Sequence, residues 1–309
     1  NVKNIQKLIL DGAYTRKTLQ DAIIEVLENA CTPVENRYAS DFDIYVKNNS
    51  ETLNMILENR CSIARFGDGE FCIIAGNSIS YQEYNDTLAA ELKEIIARQS
   101  DTHFMTCLPD VFENQGRYNE ACQNFWKGHL QAYRQLYNDV CTAGWYGSSF
   151  VSRPYMDLAD KSTVTGYFDR LKSLWDNRDV LIVEGKTTRS GVGNDLFNNA
   201  KSLVRIIGPS KNAYRAIDRI ESKIEEYGKN KLILLMLGPT AKVISYHLYK
   251  KEYWLIDIGH IDSEYEWYKL GAVEKVKLPN KHTAEHNYDQ DIVFDHDQVY
   301  ESQIVATVE

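Results

Sequence analysis

Cys61-Ser62-Ile63-Ala64-Arg65-Phe66-Gly67-Asp68-Gly69-Glu70-Phe71 runs from a short, β-prone apolar segment straight into a glycine turn bearing two acids. Just upstream, SETLNMILENR, beginning at Ser50, places its apolar residues at helical spacing, so the order is helix, strand, acidic turn. The same grammar recurs. HFMTCL (103–108) leads into PDVFENQG, DVLIVE (179–184) into GKTTRSGVGNDLF, and SLVRII (202–207) into GPSKNAY. KLILLML (231–237) leads into GPTAKVISYHLYKK, and YWLIDI (253–258) into GHIDSEYEWYK. With CSIARF these make six strand candidates, each closed by a polar or Gly/Pro turn.

Helical patterns such as NAYRAIDRIESKIEEYG and TAKVISYHLYKK separate most of the strands. The alternation predicts an α/β protein, Rossmann-like, with a mainly parallel sheet and helices on both faces. In such folds ligands collect at the carboxyl ends of the strands, so these turns are expected to converge on one crevice. Residues 111–172 are aromatic-rich and more helical, suited to a cap or an acceptor-binding wall. TLQDAIIEVLENACTP, ending near residue 35, predicts helices that precede the main fold. The chain beyond about Gln290 reads as strand or loop.

Composition narrows the function. A length of 309 residues suits one large α/β domain with a small appendage. A net charge of −9 argues against a surface built to neutralise nucleic-acid phosphates. Six scattered cysteines without a CxxC pair read as reduced core thiols. The absence of a long apolar run or a signal-peptide pattern predicts a soluble, cytoplasmic protein.

Gly67 and Gly69 permit a tight backbone that presents Asp68 and Glu70 toward one point. Two such carboxylates suit a hard divalent cation, Mg²⁺ or Mn²⁺, that completes its shell with water and phosphate oxygens. Arg65 is then placed to pair with a phosphate or to hold one carboxylate. The plainer alternative is an acidic surface turn with an arginine salt bridge.

RFGDGEF with AGNSISYQEYNDTLAAELKEI, then EGKTTRSGVGNDLFNNAKSLVRIIGPSKNAY, then LMLGPTAKVISYHLYKKEYWLIDIGHIDSEYEW, together resemble the GT-D glycosyltransferase family. The resemblance runs from about Ser50 to Asn287. It implies a Rossmann-like fold, a UDP-sugar donor and a metal-binding Asp-X-Glu motif, falling here on Asp68 and Glu70. It also implies a role in elongating bacterial surface glycans. The expected division is a helical extension over 1–40, a GT-D-like glycosyltransferase domain over 41–290 and an appendage over 291–309. Expected partners are the nucleotide-sugar donor and a glycan or glycoprotein acceptor, with room for peripheral association with membrane-linked glycan assembly and for a homo-oligomer.

The remaining turns read as donor-binding candidates. GKT at 185–187 lacks the first glycine of a phosphate-binding P-loop. Arg189 and the N–H groups around Gly191 and Gly193 could instead cradle a diphosphate at a helix start, or form an ordinary loop. Gly238, Pro239 and Thr240 open a helix whose N–H groups and Lys242 suit phosphate or nucleoside, although any α/β crossover starts this way. Asn212 is placed to bond a base or ribose. His260 is a candidate to touch metal or diphosphate, and Asp262 or Glu264 to serve as base for the acceptor hydroxyl, against a plain helix cap by Asp262. Two rivals use the same residues: a metal-dependent phosphohydrolase or phosphotransferase, and a non-catalytic nucleotide-sugar or glycan-binding module.

Overall fold

The computed structural model describes residues 42–285, 292–294 and 296–309. The helical extension expected over residues 1–40 lies outside the described residues, as does Cys31. SETLNMILEN forms α1 (Asn49–Asn59), started by a reciprocal cap: Asn48 Oδ1 accepts from the Glu51 N–H and Glu51 Oε2 from the Asn48 N–H, both at 2.9 Å. Next come β1 (Ser62–Arg65), α2 (Asp68–Ile74), α3 (Asp86–Ala97), β2 (Phe104–Leu108), α4 (Glu120–Ala132), α5 (Arg134–Val140) and β3 (Gly147–Ser148). After α6 (Val164–Lys172) follow β4 (Asp179–Gly185), β5 (Ser202–Gly208), α7 (Ile217–Tyr227), β6 (Leu232–Met236) and α8 (Pro239–Tyr249). The chain ends with β7 (Trp254–Asp257), α9 (Ile261–Leu270), α10 (Gln298–Gln303) and β8 (Ile304–Thr307).

The strands form one eight-stranded sheet in the order β3-β2-β1-β7-β6-β4-β5-β8, with every pair parallel. All six expected strands are present. The stretch beyond Gln290 is not a separate appendage in structural terms, because β8 pairs with β5 and extends the sheet.

Side chains along the buried central strands alternate between the two faces of the sheet. Leu232, Leu234 and Met236 of β6 join Val180 and Ile182 of β4 on one face, against α1, α6 and α9. Ile233 and Leu235 join Leu181 and Val183 on the other, against α7 and α8. Each such side chain removed from water contributes about 1.5–3 kcal/mol, so the centre of the sheet, apolar on both faces, anchors the core. The described cysteines, Cys61, Cys72, Cys107, Cys122 and Cys141, are all free, as expected of reduced thiols. No helix among the described residues is long and apolar enough to cross a membrane.

The site is positioned by the junction of β1 and β7. From β1 the chain moves outward to β2 and β3, whereas from β7 it runs on to β8 at the opposite edge. Neighbouring strands whose onward connections diverge leave an open crevice at their carboxyl ends. The two strands register through Ile63 and Ile256. Beyond that pair the Arg65 N–H donates to the Asp257 carboxylate at 2.9 Å rather than to a backbone carbonyl, so a side chain replaces the ladder where the crevice begins.

Candidate active site

A chain of alternating charges forms the crevice floor. Arg65 donates through Nε to the Asp257 carbonyl at 2.8 Å and through Nη1 to the Ser149 carbonyl at 2.8 Å. Lys242, in the first turn of α8, places Nζ 3.2 Å from Asp257 Oδ2, 3.0 Å from Glu70 Oε1 and 3.0 Å from the Gly238 carbonyl. Arg65, Glu70, Lys242 and Asp257 are each less than a tenth exposed. Two acids and two bases cancel, which is the condition under which burying four charges is tolerable. Arg65 is therefore committed to holding β1 against β7, and Lys242 to bridging two carboxylates, rather than standing free for phosphate. Gly259 is part of this fit: its φ is +47° and a Cβ there would lie 1.9 Å from Arg65 Nη2.

Asp68 and Glu70 occupy the first turn of α2, not an open glycine turn. Residues two apart on a helix point about 200° away from each other, so the two acids take different jobs. Glu70 turns inward, its Oε2 accepting from the Gly67 N–H at 2.8 Å while Oε1 meets Lys242. Asp68 turns outward and is exposed at the crevice mouth. Crowding by the crevice walls, and then the charge of Glu285, push its pKa above the usual carboxylate value, with Arg153 opposing. No group of three or more His, Cys, Asp or Glu side chains among the described residues is already gathered for a metal. Asp68 does fit a hard ion, because its oxygens are accessible and added positive charge relieves its surroundings. Glu70 would join it only by giving up Lys242.

Apart from His260, the walls come from residues that sequence spacing did not single out. Tyr81, in the loop between α2 and α3, lies across Gly238, whose φ is +53°; a Cβ there would sit 2.7 Å from the ring. Arg153 donates to Glu285 at 2.7 Å and to Asp157 at 3.1 Å. Burial would lower its pKa, but Glu285, Asp157 and Glu264 hold it charged. Lys275 also pairs with Glu285. His260, at the N-cap of α9, lies with its ring 5.4 Å from that of His282 and tilted by 36°, and the His282 backbone N–H donates to the Thr187 carbonyl at 2.7 Å. Burial first, then the charges of His282 and Arg153, depress the His260 pKa to about 3, so the ring is neutral near pH 7. A neutral imidazole beside the crevice keeps one nitrogen able to accept a hydrogen bond or a metal.

Asp262 and Glu264 have different work from the base role expected of them. Asp262 is 4% exposed and accepts from the Gly191 N–H at 2.7 Å, from Asn194 Nδ2 at 2.9 Å and from Lys281 Nζ at 2.9 Å. Glu264 is 1% exposed, and its Oε2 accepts from the Tyr155 and Met156 N–H groups at 3.0 Å each. Both carboxylates staple loops to α9.

Of the two readings of the 186–201 stretch, the helix start is absent, because it makes turns and opens no helix. The Gly191 N–H belongs to Asp262, and a Cβ on Gly191 would strike Phe197 at 2.6 Å. Arg189 is buried under the rings of Phe294 and Tyr300, 5.3 and 4.8 Å from its guanidinium carbon. Gly193 borders two open cavities of about 480 and 420 Å³, and neither is lined by Asp68 or Glu70. The first of them is lined by Asp195 and Glu266, but Lys269 and Lys172 pair with Asp195, and Lys281 pairs with Glu266. Asn212 is a structural tie, donating its N–H to the Tyr81 carbonyl at 2.9 Å and accepting from the Glu83 N–H at 2.7 Å. Pro239 and Thr240 start α8 and are buried.

Thus Arg65, Gly67, Asp68, Glu70, Gly238, Pro239, Thr240 and His260 come from the ends of β1, β6 and β7, whereas Arg189, Gly191, Gly193 and Asp262 group around the 186–194 loop. Asp257 had a readable signal, an acid inside the apolar run WLIDI that must be paired if buried. Tyr81 and Arg153 had none, because both lie in loops without a pattern.

Comparison with known proteins adds the family. The family described as "Glycosyltransferase GT-D fold" matches residues 63–286. A Streptococcus gordonii protein named "Probable glycosyl transferase Gly" is 51% identical over 92% of this chain and 42% of its own length. "Glycosyltransferase GlyD" of Streptococcus pneumoniae is 52% identical over 86% of this chain and 33% of its own. The chain thus spans less than half the length of these curated relatives. A solved structure described as "A New Glycosyltransferase (DUF1792) from Streptococcus sanguinis" superposes with a TM-score of 0.85 at 53% identity, covering 86% of this chain and all of that one. Another, described as "The highly conserved domain of unknown function 1792 has a distinct glycosyltransferase fold", gives 0.84 at 52% identity, covering 86% of this chain and 96% of that one.

Proposed function

This chain belongs to the family of glycosyltransferases with the GT-D fold, and from that premise we propose that it moves a hexose from a UDP-sugar to a growing bacterial surface glycan or glycoprotein glycan, with a divalent cation. The observation that carries this reading is the pairing at the end of β1: one acid, Asp68, open to the crevice, set by a second, Glu70, locked into the buried charge chain.

In this reading Asp68 would hold Mn²⁺ or Mg²⁺. When bound, such an ion supplies positive charge against the diphosphate that leaves with the nucleoside. Glu70 fixes the first turn of α2 through the Gly67 N–H, so the direction of Asp68 is set before substrate arrives. The Arg65, Glu70, Lys242 and Asp257 chain keeps the crevice floor neutral and rigid beneath it. His260, uncharged, offers a hydrogen-bonding nitrogen beside the diphosphate without adding a cation that would compete for Asp68. With Asp262 and Glu264 committed to loops, the acceptor proton leaves to a group other than these two.

The test is to incubate the chain with UDP-sugars and acceptor glycans, with and without EDTA, and to quantify UDP, free phosphate and extended glycan. Glycan extension with stoichiometric UDP, abolished by EDTA and restored by Mn²⁺, is the expected result. Free phosphate without extension identifies a phosphohydrolase instead. Tight UDP-sugar binding by calorimetry with no turnover across the acceptor panel identifies a binding module.

A further inference from the structure

We propose that Tyr81 is a donor-site residue whose phenolic hydroxyl donates a hydrogen bond to the diphosphate of a bound nucleoside diphosphate; the assignment rests on the donor-site reading above.

Tyr81 is held from its backbone. It stands at a tight reversal in which the Ile79 N–H donates to the Gln82 carbonyl at 2.9 Å and the Gln82 N–H returns to the Ile79 carbonyl at 3.3 Å. Asn212 then ties this reversal to the turn after β5 by donating its N–H to the Tyr81 carbonyl at 2.9 Å. A side chain fixed at both flanks gives up little entropy when it meets a ligand.

The ring is fitted against Gly238, and its hydroxyl end lies in contact range of Gly69. At Gly238 a Cβ would lie 2.7 Å from Tyr81 Cε2, and at Gly69 it would lie 3.6 Å from Tyr81 Oη. The ring therefore reaches from the start of α8 to the start of α2, with its hydroxyl end beside the Asp68–Glu70 turn. Glycine at 238 is needed twice, for the positive φ and for the space the ring fills.

The hydroxyl itself has no packing purpose. Tyr81 is 37% exposed, and no group among the described residues accepts from its hydroxyl. A phenylalanine would fill the gap between the glycines equally well. A phenol is a neutral donor. Beside Asp68 and Glu70 a lysine or arginine would be captured by the carboxylates, as Lys242 is by Glu70, whereas a neutral donor stays available to an incoming anion. The start of α8 is also where backbone N–H groups and the helix dipole favour negative charge.

Tyr81→Phe and Tyr81→Ala, made in the full chain, separate ring from hydroxyl. Each variant is titrated calorimetrically with UDP and with uridine in the presence of MnCl₂, with thermal melting as a control. Tyr81→Phe is expected to weaken UDP binding by about 10- to 100-fold, the range for one hydrogen bond to a charged group, while its melting temperature and its response to uridine match the wild type. Tyr81→Ala is expected to weaken UDP at least as much. Equal UDP affinity for wild type and Tyr81→Phe overturns the hydroxyl assignment and leaves Tyr81 as packing. A wild-type chain that binds no UDP overturns the donor-site reading itself and this assignment with it.

Discussion

Replacing Asp68 by alanine is expected to lower UDP release by at least about 100-fold, because removing one preorganised electrostatic group at a site of developing charge costs roughly 3 kcal/mol of transition-state stabilisation. The structure makes this substitution clean. Asp68 is exposed and forms no ion pair among the described residues, so its removal leaves no buried partner without a charge. Its neighbour Glu70 keeps the Gly67 N–H and Lys242, and with them the start of α2. The melting temperature of Asp68→Ala is therefore expected to match the wild type, and kinetic assays at saturating donor, run beside a thermal melt, check both halves. Wild-type turnover in this variant would remove Asp68 from the site.

The opposite pattern is expected at Asp257. This carboxylate receives the Arg65 N–H at 2.9 Å and faces the Arg65 guanidinium and the Lys242 ammonium, all in the protein interior. Alanine there leaves two buried cations to share Glu70 and removes the carboxylate that ties the Arg65 N–H at the carboxyl ends of β1 and β7, leaving only the bond from Arg65 Nε to the residue 257 carbonyl there among the described residues. Breaking a buried ionic set by deleting one member costs about 3–5 kcal/mol. For a domain of this size that corresponds to a melting temperature lower by roughly 10 °C. Differential scanning calorimetry of Asp257→Ala measures it, and an unchanged melting point would mean that the charge chain does not hold the crevice together. The two variants thus separate chemistry from architecture within one small region.

Most of the sheet was legible in the sequence because its strands are short apolar runs closed by Gly or Pro, and burial on both faces leaves no other reading for KLILLML or DVLIVE. β3 was not legible, since two residues, Gly147 and Ser148, carry no period. β8 was only half legible, as IVAT is a brief apolar patch whose partner, β5, lies about a hundred residues earlier.

The site was harder to read for a physical reason: spacing reports which residues share a turn, not which way they face. Asp68 and Glu70 were found by their glycines, yet the helix that starts at Asp68 sends one outward and the other inward. Asp262 and Glu264 sit in a segment that looks polar, but α9 is buried without interruption from Ile261 to Tyr265, so both acids serve the interior. Arg189, Gly191 and Gly193 suggested a phosphate cradle through composition alone. The Gly191 N–H is spent on Asp262 and Arg189 lies under the aromatic rings of the last segment, while Gly193 borders the open cavities. Tyr81 shows the converse, an unremarkable loop residue in sequence whose ring fills the space that Gly238 leaves open.

The most direct test of the donor site is to locate its metal. Crystals of the chain soaked with UDP and Mn²⁺ and measured for anomalous scattering are expected to show a manganese peak against the Asp68 carboxylate, with the diphosphate running past Gly69 toward Gly238 and Tyr81. A peak beside Gly193 and Asn194, or UDP bound in those cavities with Asp68 left in water, would contradict the account.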